Sequence, residues 1–277
     1  MRGLVTITHL TLHEAARRRI LAAAVACGAA FLVLFGIGAH FIARDMARHH
    51  AALVQQRMFL ILITLAGLYA VNFLTVMTAV LLPVDTLSGE IASGVMQTLA
   101  SKPIRRAEIV VGKWLAHVLL VAGYLAMMAG GVLLIAHATG GVTLPRVHLG
   151  LPLMMLEGVV LVSLSIAGGT RLSTVTNGVF VFGLYGLAFI GNWVEQIGTL
   201  AGNDTARYVG TVASLIMPTD AMWQLAAHHM QPPLLRDLAA TPFSPASVPS
   251  LLMVAWAAGY AALVMVLAVR GFNRRGL

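Results

Sequence analysis

Acidic residues are scarce in this sequence. Ten Asp and Glu stand against eighteen Lys and Arg in 277 residues, and charged residues of both signs make up 10% of the chain. A soluble globular domain carries about a quarter. With 59% hydrophobic residues and a mean hydropathy of +0.87, a soluble fold would leave wide apolar patches in water and aggregate. That excludes an ordinary cytosolic enzyme, a disordered chain and a nucleic-acid-binding module. The net charge of +8 is better accounted for by membrane topology and anionic lipid headgroups than by nucleic acid. Cysteine is nearly absent. Cys27 alone rules out an internal disulfide and any Cys-based zinc or iron–sulfur site. It lies in an apolar run and reads as a small core or lipid-facing residue. Catalytic signatures are also missing. There is no Gly-x-x-x-x-Gly-Lys-Ser/Thr phosphate loop: Gly112-Lys113 is followed by Trp114 and lacks the upstream glycine. The chain is therefore expected not to bind or hydrolyse ATP by itself. Neither His-Glu-x-x-His nor Gly-x-Ser-x-Gly occurs, and no cofactor or metal is expected.

What is present is a set of long apolar runs. A spanning helix needs roughly 20 apolar residues, because the hydrocarbon core is about 30 Å thick and a helix rises about 1.5 Å per residue. Six segments qualify: 20–42, 58–82, 114–138, 149–168, 172–194 and 248–269. No Asp falls inside any of them, which argues against intramembrane aspartyl proteolysis. The first is too long for a signal-peptide core and reads as a retained helix. With the N-terminus in the cytoplasm, Arg44, Arg48, Arg57, Arg146, Arg207 and Arg236 fall outside, and the other twelve of the eighteen Lys and Arg fall inside. This bias places both termini in the cytoplasm. The fold class is all-α, a polytopic membrane protein of six transmembrane helices.

Before the first span, Thr11-Leu-His-Glu14 has capping-box spacing, so a short helix is expected to start there and run into Arg17–Arg19. Leu12, Ala15, Ala16 and Ile20 share one face of it. It reads either as an elbow lying in the membrane interface or as a basic topology anchor. The outer stretch 197–247 alternates polar turns with apolar patches and is interrupted by Pro218, Pro232, Pro233, Pro242 and Pro245. Short helices on or dipping into the outer leaflet are expected there.

The inner loop 83–113 is the most informative segment. Ile91, Val95 and Leu99 recur at four-residue spacing, which predicts a helix over 90–99 with one apolar face, ended by Pro103. Such a helix could dock into a groove on another protein or pack against its own bundle. The run Ser93-Gly94-x(8)-Pro103-x-x-Arg106-x-Glu108-x(3)-Gly112-Lys113 resembles the cytoplasmic loop of ABC-2 type transporter permeases. The stretch Met217-Pro218-Thr219-Asp220-Ala-Met-Trp-Gln-Leu225 resembles the outer segment before the last span in that family. That includes the branch related to the copper-maturation permease of nitrous oxide reductase. The resemblance covers essentially the whole chain, 1–277, as one transmembrane domain. It departs from the family pattern at Val95, where Thr is usual, and at Ala92, where an acid is usual; Glu90 is the nearest acid to take that role.

The resemblance implies a permease subunit that pairs with a separate ATP-binding subunit and with a second permease chain, as homodimer or heterodimer. It implies export across the plasma (inner) membrane. Glu90, Ile91, Gly94, Val95, Leu99, Pro103, Arg106 and Glu108 would then form the coupling element seated on the ATPase. Two other classes remain open: a proton-coupled secondary transporter with Glu157 as carrier, and a membrane assembly factor that transports nothing.

Single residues complete the reading. Glu157 lies near the middle of its span, where an ionisable group is a functional candidate, or else a hydrogen-bonded structural carboxyl. Asn192 and Glu195, at the end of the fifth span, are candidates for the pathway, although with Asn177 they read more simply as interfacial. His49-His50 and His228-His229-Met230 lie outside and could attract copper, or simply be surface histidines. Trp193, Trp223 and Trp256 have the placement of aromatic-belt anchors. The glycine pairs Gly130-Gly131 and Gly168-Gly169 suit close helix packing. Asn203-Asp-Thr205 matches a glycosylation acceptor by chance.

Overall fold

The computed structural model describes residues 2–48, 53–100, 104–233 and 247–274. Among the described residues there is no strand. The helices are α1 (Arg2–Arg17), α2 (Arg19–Arg48), α3 (Leu53–Leu81), α4 (Ser88–Ala92), α5 (Val95–Ala100), α6 (Arg106–Gly140), α7 (Val147–Gly169), α8 (Thr174–Leu200), α9 (Asp204–Ile216), α10 (Thr219–Met230) and α11 (Leu251–Asn273). Six of them, α2, α3, α6, α7, α8 and α11, are long and apolar enough to cross a membrane. The protein is all-helical and polytopic, as its hydropathy predicts.

Boundaries differ from those expectations for a physical reason. A helix does not stop where the hydrocarbon stops, because its backbone hydrogen bonds remain good in the headgroup layer. Thus α6 starts at Arg106 and not at 114, which shortens the inner loop. Helix α8 runs to Leu200, so that Glu195 lies within it. Helix α6 ends where Gly141 adopts the left-handed conformation (φ 61°) and its N–H bonds the His137 carbonyl at 2.8 Å.

Thr11 is not a helix cap. It sits inside α1, which runs from Arg2, and the Glu14 carboxylate that would complete the box instead accepts from Arg18 Nη2 at 2.5 Å. The helix owes its earlier start to packing. Ile7, Thr8, Thr11 and Ala15 recur at helical spacing and are buried, and α1 lies along the first turns of α6. Thr8 Oγ1 donates to the Gly112 carbonyl at 3.2 Å. A Cβ at Gly112 would stand 2.8 Å from Ile7 Cγ2, so only glycine allows this approach.

Helix α7 is buried over most of its length and carries the core contacts of α3, α6, α10 and α11, while α2 is exposed along most of its face. Small residues set the spacing: Gly131 faces Leu32, Gly67 faces Phe35 and Gly158 faces Val121. The outer stretch is not a set of surface helices throughout. Helix α9 folds back tightly on α8, where Gly191 faces Ala213. Its first turn is capped by Asn203, whose side chain accepts from the Ala206 N–H at 3.2 Å; that explains the residue without a glycan. Helix α10 is sunk into the bundle, with Thr219 through Ala227 all buried. Trp223 is accordingly buried against Tyr69, ring centroids 5.4 Å apart, and is not a belt residue. Trp193 and Trp256 remain exposed.

Candidate functional site

The end of the bundle that carries α1, α4 and α5 holds a dense polar network in an otherwise apolar molecule. It begins in the turn after α3. Asp85 Oδ1 accepts from Thr174 Oγ1 at 2.7 Å, while Arg18 Nη1 lies 3.8 Å from Asp85 Oδ2. Partial burial pushes the Glu14 carboxyl up, but the hydrogen bond and charge of Arg18 outweigh it and hold the group below the usual carboxylate value. Ser88 Oγ donates to the Val84 carbonyl at 3.0 Å and pairs with Thr174 Oγ1 at 2.9 Å. Asn177 Nδ2 donates to the carbonyls of Val84 (3.2 Å) and Ser165 (2.8 Å). Thr86 Oγ1 pairs with His117 Nε2 at 3.1 Å, and His117 Nδ1 donates to the Lys113 carbonyl at 2.7 Å. Finally, Lys113 Nζ forms a buried ion pair with Glu90 Oε1. One short segment is thereby tied to the α1–α2 junction, α6 and α8 at once.

The segment itself differs from the expected continuous helix over 90–99. Gly94 adopts φ 76°, a left-handed conformation that glycine enters without steric cost. The chain breaks there into α4 and α5. The break rotates α5 relative to α4, so Ile91 and Val95 do not share one face. Met96 turns inward and is fully buried, Ile91 packs against the core, and Val95 is 53% exposed. Glu90 is held inside by Lys113 rather than offered outward. Pro103 and the side chain of Leu99 lie outside the described residues. Arg106 Nη1 donates to the Asn273 carbonyl at 3.3 Å, linking the start of α6 to the end of α11. Glu108 lies against Gly3 of α1.

A second polar group lies deeper. Glu157 on α7 is 1% exposed, and neither of its carboxylate oxygens meets hydrogen-bond geometry; Asn72 of α3 is a polar neighbour. Asp220 of α10 is close enough for its charge to act on Glu157, and Tyr69 of α3 and Tyr185 of α8 feel both carboxyls. Gln224 Nε2 donates to Asp220 Oδ2 at 2.7 Å. Burial pushes the Asp220 carboxyl up to about 7; the Gln224 hydrogen bond opposes this and the Glu195 charge adds to it. Glu195 is buried and accepts from Ser247 Oγ at 2.5 Å. It lines a cavity of about 500 Å³ with Gln224, Ser247 and Trp256. Asn192, also buried, accepts from Gln196 at 3.3 Å. Asn177, Asn192 and Glu195 are therefore all buried among the helices. Sequence reasoning missed Asp220, His117, Thr86 and Asp85 as partners. Two of them left a trace: His117 stands one turn after Lys113, and Asp220 follows Pro218 in an apolar patch.

His49-His50 lies outside the described residues. His228 and His229 are adjacent on α10, rings 6.0 Å apart. Among the described residues no three His, Cys, Asp or Glu side chains are grouped to hold a metal ion. Compared with known proteins, residues 24–277 match the family model described as ABC-2 family transporter protein. No curated protein matches the chain.

Proposed function

This chain belongs to the ABC-2 transporter family, and from that premise we propose that it is the permease subunit of an ATP-binding cassette exporter. A separate ATP-binding subunit docks on the α4–α5 segment, and a second permease chain, identical or related, completes the pathway. The basic end of the bundle faces the cytoplasm, the termini with it, and the protein sits in the plasma (inner) membrane. Its branch is the one related to the copper-maturation permease of nitrous oxide reductase, a kinship carried by the Met217–Leu225 stretch alone.

One observation carries this reading. The α4–Gly94–α5 unit and the turn before it are anchored from behind by bonds to two spans, α6 and α8, while Val95 faces outward. An apolar group on a short helix, fixed to the bundle beneath it, suits a groove on a partner. When the partner moves the helix, Glu90–Lys113 passes the displacement to α6, Asp85–Arg18 to the junction of α1 and α2, and Ser88–Thr174 to α8. The energy comes from nucleotide bound elsewhere, so the permease needs no catalytic residue of its own.

Two substitutions separate docking from folding. Val95→Asp places a charge on an exposed site, so the permease should reach the membrane at normal abundance and lose its ATP-binding subunit during affinity purification. Met96→Asp places a charge in the core and should lower abundance itself. The measured quantity is the ratio of ATPase to permease, with membrane level alongside. A normal ratio for Val95→Asp, or no ATP-binding subunit on the wild-type permease, removes this segment as the coupling element. A proton-driven carrier is the second reading, because the fold brings Asp220 near the intramembrane acid Glu157. ATP-dependent transport retained by Glu157→Gln excludes it.

A further inference from the structure

We propose that the cavity where α7, α8 and α11 meet is a binding site for one acidic phospholipid, its phosphate among Arg171, Arg270 and Arg274 and an acyl chain over Phe180 and Leu267. The cavity measures about 560 Å³ and lies at the basic end of the bundle. Arg171 comes from the turn between α7 and α8. Arg270 and Arg274 come from the last turn of α11 and its C-cap, four residues apart and so on one side of the helix. Arg171 is folded against α11: a Cβ at Gly271 would stand 3.4 Å from its Nε.

Charge is the first argument. Three guanidinium groups surround one cavity and no Asp or Glu lines it. Among the described residues none of the three has an ion pair with a carboxylate. Like charges so gathered repel one another, and guanidinium remains protonated at any physiological pH. An oxyanion with several acceptor atoms removes that repulsion and matches the planar forks. Shape is the second argument. Leu172, Phe180 and Leu267 form the apolar side of the cavity, and Phe180 (46%) and Leu267 (53%) are exposed on the perimeter of spanning helices, where hydrocarbon is the solvent. The site is thus anionic in preference at one end and open to acyl chains at the other, at the depth where a phospholipid changes from headgroup to tail. A zwitterionic lipid would bring its own cation among three arginines, so an acidic lipid is preferred. The site uses none of the residues assigned to the ATPase contact, so it stands or falls separately from the permease reading.

The test uses the full chain, purified in detergent. Native mass spectrometry counts retained lipid, and the thermal midpoint is followed on adding phosphatidylglycerol, phosphatidylcholine or inorganic phosphate. Phosphatidylglycerol is expected to be retained and to raise the midpoint, with phosphatidylcholine and phosphate having little effect. The combined Arg171→Gln, Arg270→Gln, Arg274→Gln variant should bind phosphatidylglycerol about tenfold more weakly or worse. Removing three charges at the other end, Arg44→Gln, Arg57→Gln and Arg207→Gln, should leave binding intact. If the first variant fails to insert, the triple Arg→Lys form keeps the charge that sets topology but loses the fork, and should still bind severalfold more weakly. Equal retention of the two lipids, unchanged phosphatidylglycerol binding in the Gln and Lys variants, or an equal midpoint shift with free phosphate would each overturn the proposal. So would loss of the ATP-binding subunit from the Gln variant with lipid binding unchanged, which would make the cavity a protein contact.

Discussion

Glu157 and Asp220 show what single residues carry here. Glu157 was readable as a candidate because it alone interrupts its apolar run with an acid. Asp220 was not, because it belongs to a stretch between spans and its meeting with Glu157 depends on α10 sinking into the bundle. At Glu157 an amide of the same size needs no counter-charge, so Glu157→Gln should leave membrane abundance and thermal midpoint close to wild type. Glu157→Lys fixes a cation near the midplane, at a cost of at least about 2.5 kcal/mol on insertion scales, and abundance should fall. For Asp220 the sign is set by its raised value. The folded protein holds a proton that the unfolded chain releases, since the carboxyl titrates near 7 against an ordinary 3.8. That contribution to stability is present at low pH and is lost as pH rises toward 7. Glu195 of α8 and Glu157 of α7 face it, with Tyr69 and Tyr185 nearby, and among these neighbours none is a cation. Compared with Asp220→Asn at each pH, the wild-type protein should lose more of its thermal midpoint, or gain less, between pH 5 and pH 8.

At the scale of elements, the α4–α5 segment was legible as helical and surface-directed but not in its orientation. Periodicity at Ile91, Val95 and Leu99 describes a straight helix, and a Ser-Gly pair inside it does not say which way glycine will turn. The left-handed Gly94 decides that Met96 and not Val95 is the anchor. The partner of Glu90 was equally hidden, because Lys113 reads as the basic end of a loop until α6 is seen to start at Arg106. Breaking this buried pair from one side should be severe. Glu90→Gln or Lys113→Met alone should each cost about 3–5 kcal/mol, since each leaves a buried charge unmatched. The double variant should recover much of the loss. A thermal-unfolding double-mutant cycle checks this, and additive losses would mean that the pair does not act as a unit.

For the whole molecule, the six spans were readable because bilayer thickness fixes how long an apolar helix has to be. The sunken α10 was not, because twelve residues of mixed polarity suit a surface helix as well as one buried against polar partners. The absence of a phosphate loop also acts at this scale. On the proposed permease reading, the purified chain alone should show no ATP turnover, measured as phosphate release, and adding an ATP-binding subunit should supply it. The seat of α1 has a consequence for the order in which the molecule is assembled. Thr8 finds its partner at Gly112, 104 residues further along the chain. During synthesis α1 therefore leaves the ribosome long before the helix that receives it exists, and two spans are laid down in between. Its apolar stripe has to wait at the membrane surface, sheltered by lipid, until α6 arrives. A helix made before two spans is thus seated only after them, and its docking against Gly112 records that α6 has been inserted in the right direction.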